Sequence, residues 1–341
     1  MKIALITGSC GLVGSESAIY FAKKGFKILG IDNNTRKFFF GNDGDISWVR
    51  KKLKKNLKNY QHYDTDIRNF SALKKIFIKY KKKIKVIIHA AAQPSHDWAK
   101  NEPFIDFDIN AKGTLNLLEI LRKEKIKKFI YSASASCYGI PKEYPTNENS
   151  KIKLEYPYAL TKYLGEELVL HWYKVYNMPN VSIRLFNVYG QRSRTTGAYG
   201  AVFGVFLAQK LAKKPLTIVG NGKQTRDFVH VNDVVNALIS AAKRGKKGEV
   251  YNIGSGDETN INKIAKIVGG KKIKIPKRPG EPARSLASIK KIKKHLKWKP
   301  IVKIEDGVKM LIKTIHNWKD APVWTPKKIK IETKAWFKYL K

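Results

Sequence analysis

The chain has 341 residues, 43% hydrophobic and 11% aromatic, with 24 Gly and 13 Pro spread along it, which excludes collagen, coiled coil and wholesale disorder. No stretch nears the ~20 consecutive apolar residues of a membrane-spanning helix. The formal charge is +41, yet only 11 of the 68 basic residues are Arg, the type that reads phosphates and bases bidentately. The scattered Lys therefore reads as solvated surface that attracts anionic substrates, with no specific nucleic-acid partner and no membrane.

The chain opens on a strand, Lys2–Thr7, whose apolar run is too short and too soon broken by glycine for a secretory signal. Val13–Lys24 has helical spacing, Lys27–Asp32 is a second strand, and Asn33 to about Trp48 is a polar, aromatic connection. Gln61–Asp66 holds a third short strand, Phe70–Tyr80 a helix and Val86–Ala90 a fully buried strand. Asn110–Lys123 is helical, with Leu115, Leu118 and Leu121 on one face. Lys128–Ser132 is a strand and Tyr158–Tyr176 a long helix. This alternation with near-continuous apolar strands predicts an α/β fold: a Rossmann-type, doubly wound parallel sheet covered on both faces.

The second half is less regular, with helical patterns near Asn232–Lys243, Asn260–Val268 and Ile304–Trp318, and reads as a smaller α+β substrate-binding lobe. Its boundaries are expected as 1–180 for the sheet domain, with a return segment at about 224–254, and 181–223 plus 255–341 for the lobe. The aromatic stretch Trp318–Lys341 is expected to dock on the body. Cys10 and Cys137 form neither a disulfide framework nor a metal cluster, so buried thiols in a reducing cytoplasm are expected, and no metal site.

Two motifs carry chemistry. Thr7-Gly-Ser-Cys-Gly-Leu-Val-Gly14 sits where a strand turns into a helix, so glycines admit a pyrophosphate to the helix N-terminus. Asp32 ends the next strand, where a carboxylate accepts from both adenosine ribose hydroxyls and repels a 2′-phosphate, pointing to NAD. Arg36 and Lys37 follow it closely. In Tyr158-Ala-Leu-Thr-Lys162 the two end residues share a helix face, so an ammonium beside the phenol lowers its pKa and makes it a general base. A serine of the hydroxyl-rich Ser132–Gly139 strand end, about 25 residues earlier, is expected to bond a substrate hydroxyl or carbonyl.

With these motifs in order, the sequence resembles the extended short-chain dehydrogenase/reductase family, and within it the NAD-dependent nucleotide-sugar epimerases, from Lys2 to about Trp318. The resemblance implies Ser134, Tyr158 and Lys162 as the catalytic trio. It implies cofactor contacts at Gly8, Gly11, Leu12, Val13, Gly14, Asp32, Asn33, Asp66, Ile67, Ala90, Ala91 and Ala92, with Tyr158 and Lys162. Substrate contacts are implied at Gln93, Ser134, Asn187, Arg226 and Arg278, the two Arg residues on the diphosphate. Asn110 is expected to brace the sheet and His230 to be a packed histidine. The family's dehydratases carry Asp-Glu and its decarboxylases a Glu after the catalytic hydroxyl residue. Ala135-Ser136 stands there in this chain, which favours epimerisation. Ser132–Gly139 looks most like UDP-hexose 4-epimerases, whereas Asp32–Lys37 and Ala92–Trp98 look more like CDP-paratose 2-epimerases. A homodimer built around the Tyr158 helix is also implied.

Overall fold

Strand β1 (Ile3–Thr7) is buried along its whole length, which requires helices on both faces of its sheet. A computed structural model, describing residues 2–193, 202–277, 282–334 and 337, contains them. β1 is joined by β2 (Lys27–Ile31), β3 (Tyr60–Tyr63), β4 (Ile84–His89), β5 (Lys128–Ser134), β6 (Asn180–Leu185) and β7 (Glu249–Ile253). All pairings are parallel, in the order β7-β6-β5-β4-β1-β2-β3. β6 carries the large sheet five residues past the boundary expected at 180.

The helices are α1 (Leu12–Lys23), α2 (Thr35–Phe40), α3 (Ser47–Asn56), α4 (Phe70–Tyr80), α5 (His96–Asn101), α6 (Pro103–Phe107), α7 (Gly113–Leu121), α8 (Pro157–Tyr176), α9 (Val202–Leu211) and α10 (Val231–Arg244). Successive β1 side chains go to opposite cores, as the period of two demands. Ala4 and Ile6 pack with Phe21 of α1, Leu53 of α3 and Leu238 of α10, while Ile3 and Leu5 pack with Phe77 of α4, Leu118 of α7 and Val169 of α8. This is the doubly wound sheet the sequence predicts.

Two local expectations fail for physical reasons. The stretch expected as a connection folds into α2, a 3-10 turn at Gly41–Gly44 and the start of α3. Its polar residues tie the segment together: Asn34, left-handed at φ 57°, accepts from Ile46 N–H at 3.0 Å and donates to Asp45 at 3.0 Å. In α7, Leu117 and not Leu115 is buried beside Leu118 and Leu121. Thr114, Leu117, Leu118 and Leu121, spaced i, i+3, i+4 and i+7, form the buried face, and Leu115 sits at its flank.

Residues 187–230 and 255–334 add three two-stranded pairings: Asn187–Tyr189 with Phe228–His230, Leu216–Val219 with Lys272–Ile275, and Thr225–Arg226 with Thr259–Asn260. α9 packs in their shared core with Trp318, which is buried. Ile329 and the half-buried Trp324 continue the docking of the C-terminal stretch, whereas Phe337 is exposed, and Trp336 and Tyr339 lie outside the described residues. No described helix is long and apolar enough to cross a membrane.

Candidate active site

The strand order reverses between β1 and β4, and a crevice opens there beyond the strands' C-terminal ends, where open α/β sheets take their ligands. Its walls include Gly8, Gly11, Leu12, Val13, Gly14, Asp32, Asn33, Asp66, Ile67, Ala90, Ala91 and Ala92, every nucleotide contact expected outside the catalytic pair. Gly8 is left-handed at φ 65°, and a Cβ there would stand 2.7 Å from Ala91 N and 2.8 Å from Ala90 O. A Cβ on Gly14 would collide with the Gly8 carbonyl oxygen. The turn is therefore closed to side chains, and α1 begins at Gly11 with no side-chain cap, leaving its first N–H groups for an anion.

Asp32 is half-buried at the rim and accepts from Cys10 N–H and Asn34 N–H, both at 2.9 Å. Burial raises its pKa, and those two N–H groups offset part of the rise. Lys37 turns away to Asp45 at 3.6 Å, while Arg36 remains on the crevice wall. Asn33 donates to Asp66 at 2.9 Å. Burial works against the Asp66 carboxylate, but bidentate bonds from Arg68 outweigh it and hold the pKa below the usual range. An uncapped helix start, a side-chain-free turn and a carboxylate at the ribose position form a donor and acceptor set that suits NAD.

Behind this wall runs a chain of hydrogen bonds with one polarity. Thr114 gives its only hydroxyl proton to Asn110 O at 2.7 Å, so His89 Nε2–H must donate to Thr114 Oγ1 at 3.0 Å. His89 Nδ1 then accepts from Thr7 at 2.7 Å, and Thr7 accepts from Ala91 N–H at 3.2 Å. Burial pushes the His89 pKa down to about 3, keeping the ring neutral as this chain requires.

A second cavity, about 320 Å³, adjoins at the ends of β5 and β6. Its walls include Ser134, Tyr158, Asn187 and Arg226 from the expected set, with His96, Ser136, Tyr138, Glu155 and Arg284. Ser134 ends β5 and caps the following 3-10 turn by accepting from Ser136 N–H at 3.2 Å. Tyr158 lies in the first turn of α8, whose start is fixed by Pro157 at the position where a missing N–H costs nothing.

Tyr158 and Lys162 share a face of α8, but the ammonium does not meet the phenol. It donates to Ser132 O at 2.8 Å and lies 4.3 Å from the Tyr131 ring centroid. The phenol pKa therefore moves opposite to the sequence expectation. Burial pushes it up to about 12, against a hydrogen bond from Ser134. Burial likewise brings Lys162 down to about 7, with Asp106 and Glu166 opposing.

Gln93 departs from its expected role. Its side chain is fully buried, donating to Asp106 and to Ser95 O, both at 2.8 Å, so it points into the protein and away from the cavity. Asp106 gathers Gln93, Asn110 at 2.9 Å and Thr161 at 2.6 Å into one node beneath α8, so Asn110 ties the Gln93 loop to α8 and bonds no strand of the sheet through its side chain. His230 caps α10 by accepting from Asn232 N–H at 3.2 Å, a packed histidine. Arg278 lies outside the described residues.

Arg284 is the cavity residue that the sequence reading missed. It pairs with Glu258 at 2.8 Å and lies 4.9 Å from the Tyr144 ring centroid, and both Arg284 and Arg226 act on the Tyr144 hydroxyl. A hydrogen bond from Thr225 N–H to Ala283 O at 3.0 Å joins the two arginine-bearing segments.

Residues 4–254 match the NAD dependent epimerase/dehydratase family. The UDP-glucuronate 4-epimerase of Thermodesulfobacterium geofontis is 32% identical over 342 residues, 97% of this chain and 100% of that protein. The CDP-paratose 2-epimerase of Salmonella typhi is 28% identical across 93% of this chain and 99% of its own. Among solved structures, the UDP-glucuronic acid 4-epimerase of Bacillus cereus in complex with UDP-glucuronic acid and NAD has a TM-score of 0.81 at 30% identity, over 92% of this chain and 99% of that one. With the crevice built for a dinucleotide and the tyrosine-lined cavity beside it, this chain belongs to the NAD dependent epimerase/dehydratase family, as an NAD-dependent enzyme of the nucleotide-sugar epimerase type.

Proposed function

We propose that the chain is a UDP-hexose 4-epimerase. The observation that carries this reading is the single cavity whose walls hold Tyr158 and Ser134 together with Arg226 and Arg284. The two arginines hold the diphosphate by charge-assisted bonds, with Arg278 as a further contact. Bound NAD supplies the reversible two-electron oxidation of a secondary alcohol. As phenolate, the Tyr158 oxygen takes the proton of the sugar hydroxyl and later returns it. Ser134 bonds the same oxygen and holds it in line, and the protonated form of Lys162, one turn along α8, supplies positive charge that offsets the burial raising the phenol's pKa. Held mainly by its diphosphate, the keto-sugar turns over in the cavity and is reduced on its other face.

Dehydration needs an acid near the sugar. Among the described residues, the cavity's only carboxylate is Glu155, engaged by Lys153 at 2.6 Å, and Ala135 and Ser136 stand where the acid is required. A second reading, C2 epimerisation of a CDP-sugar, is favoured by Pro94 and His96, which bring the 2-epimerase-like segment to the cavity wall. The smaller lobe is proposed as the substrate-binding lobe. A homodimer across α8 is proposed from the exposed Leu160, Val175 and Tyr176, with Phe104 and Phe107 on the adjoining α6.

The test is incubation with UDP-glucose, UDP-galactose and CDP-sugars, with products resolved by NMR. UDP-glucose and UDP-galactose should interconvert, and Tyr158→Phe should keep NAD binding and fold while turnover falls at least ~10³-fold. Near-normal turnover by Tyr158→Phe rejects the assigned base. Exclusive C2 inversion of CDP-sugars selects the second reading.

A further inference from the structure

The cavity wall carries one group that neither the catalytic trio nor the diphosphate contacts use. His96 opens α5, set there by Ser95, which caps the helix by accepting from Trp98 N–H at 3.2 Å. The imidazole lies against the catalytic tyrosine, ring centroids 4.5 Å apart and planes tilted by 54°. It also meets Tyr156 edge to face at 5.7 Å. Its Nδ1 is buried with no hydrogen-bond partner in the protein.

A buried polar atom left unpaired costs on the order of 1–3 kcal/mol, so its location matters. Several other unpaired atoms, such as Tyr189 Oη and Trp318 Nε1, lie in the packed core of the smaller lobe. His96 Nδ1 and Ser136 Oγ belong to residues that wall the substrate cavity. Ser136 lies two residues after Ser134 in the same turn, whereas His96 comes from a different element on the tyrosine's flank. Packing alone does not call for histidine here. A phenylalanine would fill the same place between Tyr156 and Tyr158 without an unpaired nitrogen.

We infer that His96 is a specificity-determining residue, whose imidazole hydrogen-bonds a ring hydroxyl of the sugar beside the carbon that meets Tyr158. This rests on the nucleotide-sugar reading above and adds the residue that orients the hexose. Burial brings the imidazole pKa down to about 4, so at neutral pH the ring offers one donor and one acceptor, a match for a hydroxyl, and does not act as a proton store. Its contact with the tyrosine ring fixes where the bound sugar lies relative to the phenol.

The test uses NAD-loaded protein in a Tyr158→Phe background, so that ligands bind without turnover, and titrates UDP-glucose and UDP by calorimetry. His96→Phe keeps the ring packing and removes both nitrogens, while His96→Asn places an amide atom near the Nδ1 position. UDP-glucose should bind about 10-fold or more weakly to His96→Phe, UDP should change less than about twofold, and His96→Asn should recover most of the loss. Unchanged binding of both ligands, equal weakening of both, or UDP-glucose binding no tighter than UDP when His96 is intact each overturns the inference. Turnover of UDP-glucose by the enzyme with Tyr158 and His96 intact reports separately on the function. Turnover with no effect of His96 sinks only this inference, and no turnover sinks the reading beneath it.

Discussion

Replacing Arg184 by Met gives a sharp test of how the active-site helix is fixed. Arg184 on β6 reaches α8 through a bidentate pair with Glu166, Nη2 to Oε1 at 2.6 Å and Nε to Oε2 at 3.2 Å, and both side chains are almost fully buried. The same guanidinium donates to Tyr138 Oη at 2.8 Å and Glu148 O at 3.2 Å. Without it, the Glu166 carboxylate keeps only the Ser182 hydroxyl, at 2.6 Å, from this group. Breaking a buried pair by removing one partner costs about 3–5 kcal/mol, because a desolvated charge is left behind. Removing both charges together avoids that cost, so Arg184→Met with Glu166→Leu should recover most of the loss. Urea denaturation followed by circular dichroism measures wild type, Arg184→Met, Glu166→Leu and the double variant. A single variant within about 1 kcal/mol of wild type, or a double variant as unstable as the two singles summed, refutes the reasoning, since coupling between the sites should exceed about 2 kcal/mol.

Lys162 should leave a pH signature. Its pKa is about 7 in the fold and near the ordinary 10.5 when unfolded, so between those values the unfolded chain binds more protons. Stability should therefore rise with pH across that window relative to Lys162→Met, by at most ~1.4 kcal/mol per unit, measured by urea melts of NAD-free protein at pH 7, 8 and 9. A difference that stays flat or falls would contradict the burial. Asp32→Ala should weaken NADH binding about 10-fold or more and erase discrimination against NADPH, read by fluorescence titration; retained discrimination would mean that another group excludes the 2′-phosphate.

Much of this molecule is legible in its sequence wherever one physical demand dominates. β1 and β4 had to be buried on both faces, and their unbroken apolar runs say so. The Gly8 turn announces itself because no side chain fits there, and Ser134 and Tyr158 do reach one cavity. Legibility fails where a side chain's direction decides. Gln93 follows Ala92 at the crevice edge, yet its amide turns inward to the buried Asp106. The four-residue spacing of Tyr158 and Lys162 sets a shared face, but the Ser132 carbonyl decides where the ammonium points. Arg284 is invisible beside Arg226 because 58 positions separate them, and it is the fold that unites their segments, through the backbone bond between Thr225 and Ala283 and through Glu258, which bonds both Thr225 and Arg284. In α7 the leucines crowd two overlapping helical stripes, Leu115-Leu118-Leu121 and Thr114-Leu117-Leu118-Leu121, and only the packing against the sheet selects the second.

The strand order has a bearing on how the chain emerges from the ribosome. β1 comes first and ends up inside; β2 and β3 extend the sheet outward on one side, then β4, β5, β6 and β7 on the other. Each newly made strand thus joins an existing margin and none has to be threaded between two others, so the sheet can grow during translation. The exception to smooth growth is the last step: β6 waits with a bare margin until residues 186–248 have been synthesised and β7 arrives. A nascent or truncated chain ending in that interval exposes an open hydrogen-bonding margin, the kind that recruits chaperones or seeds aggregates.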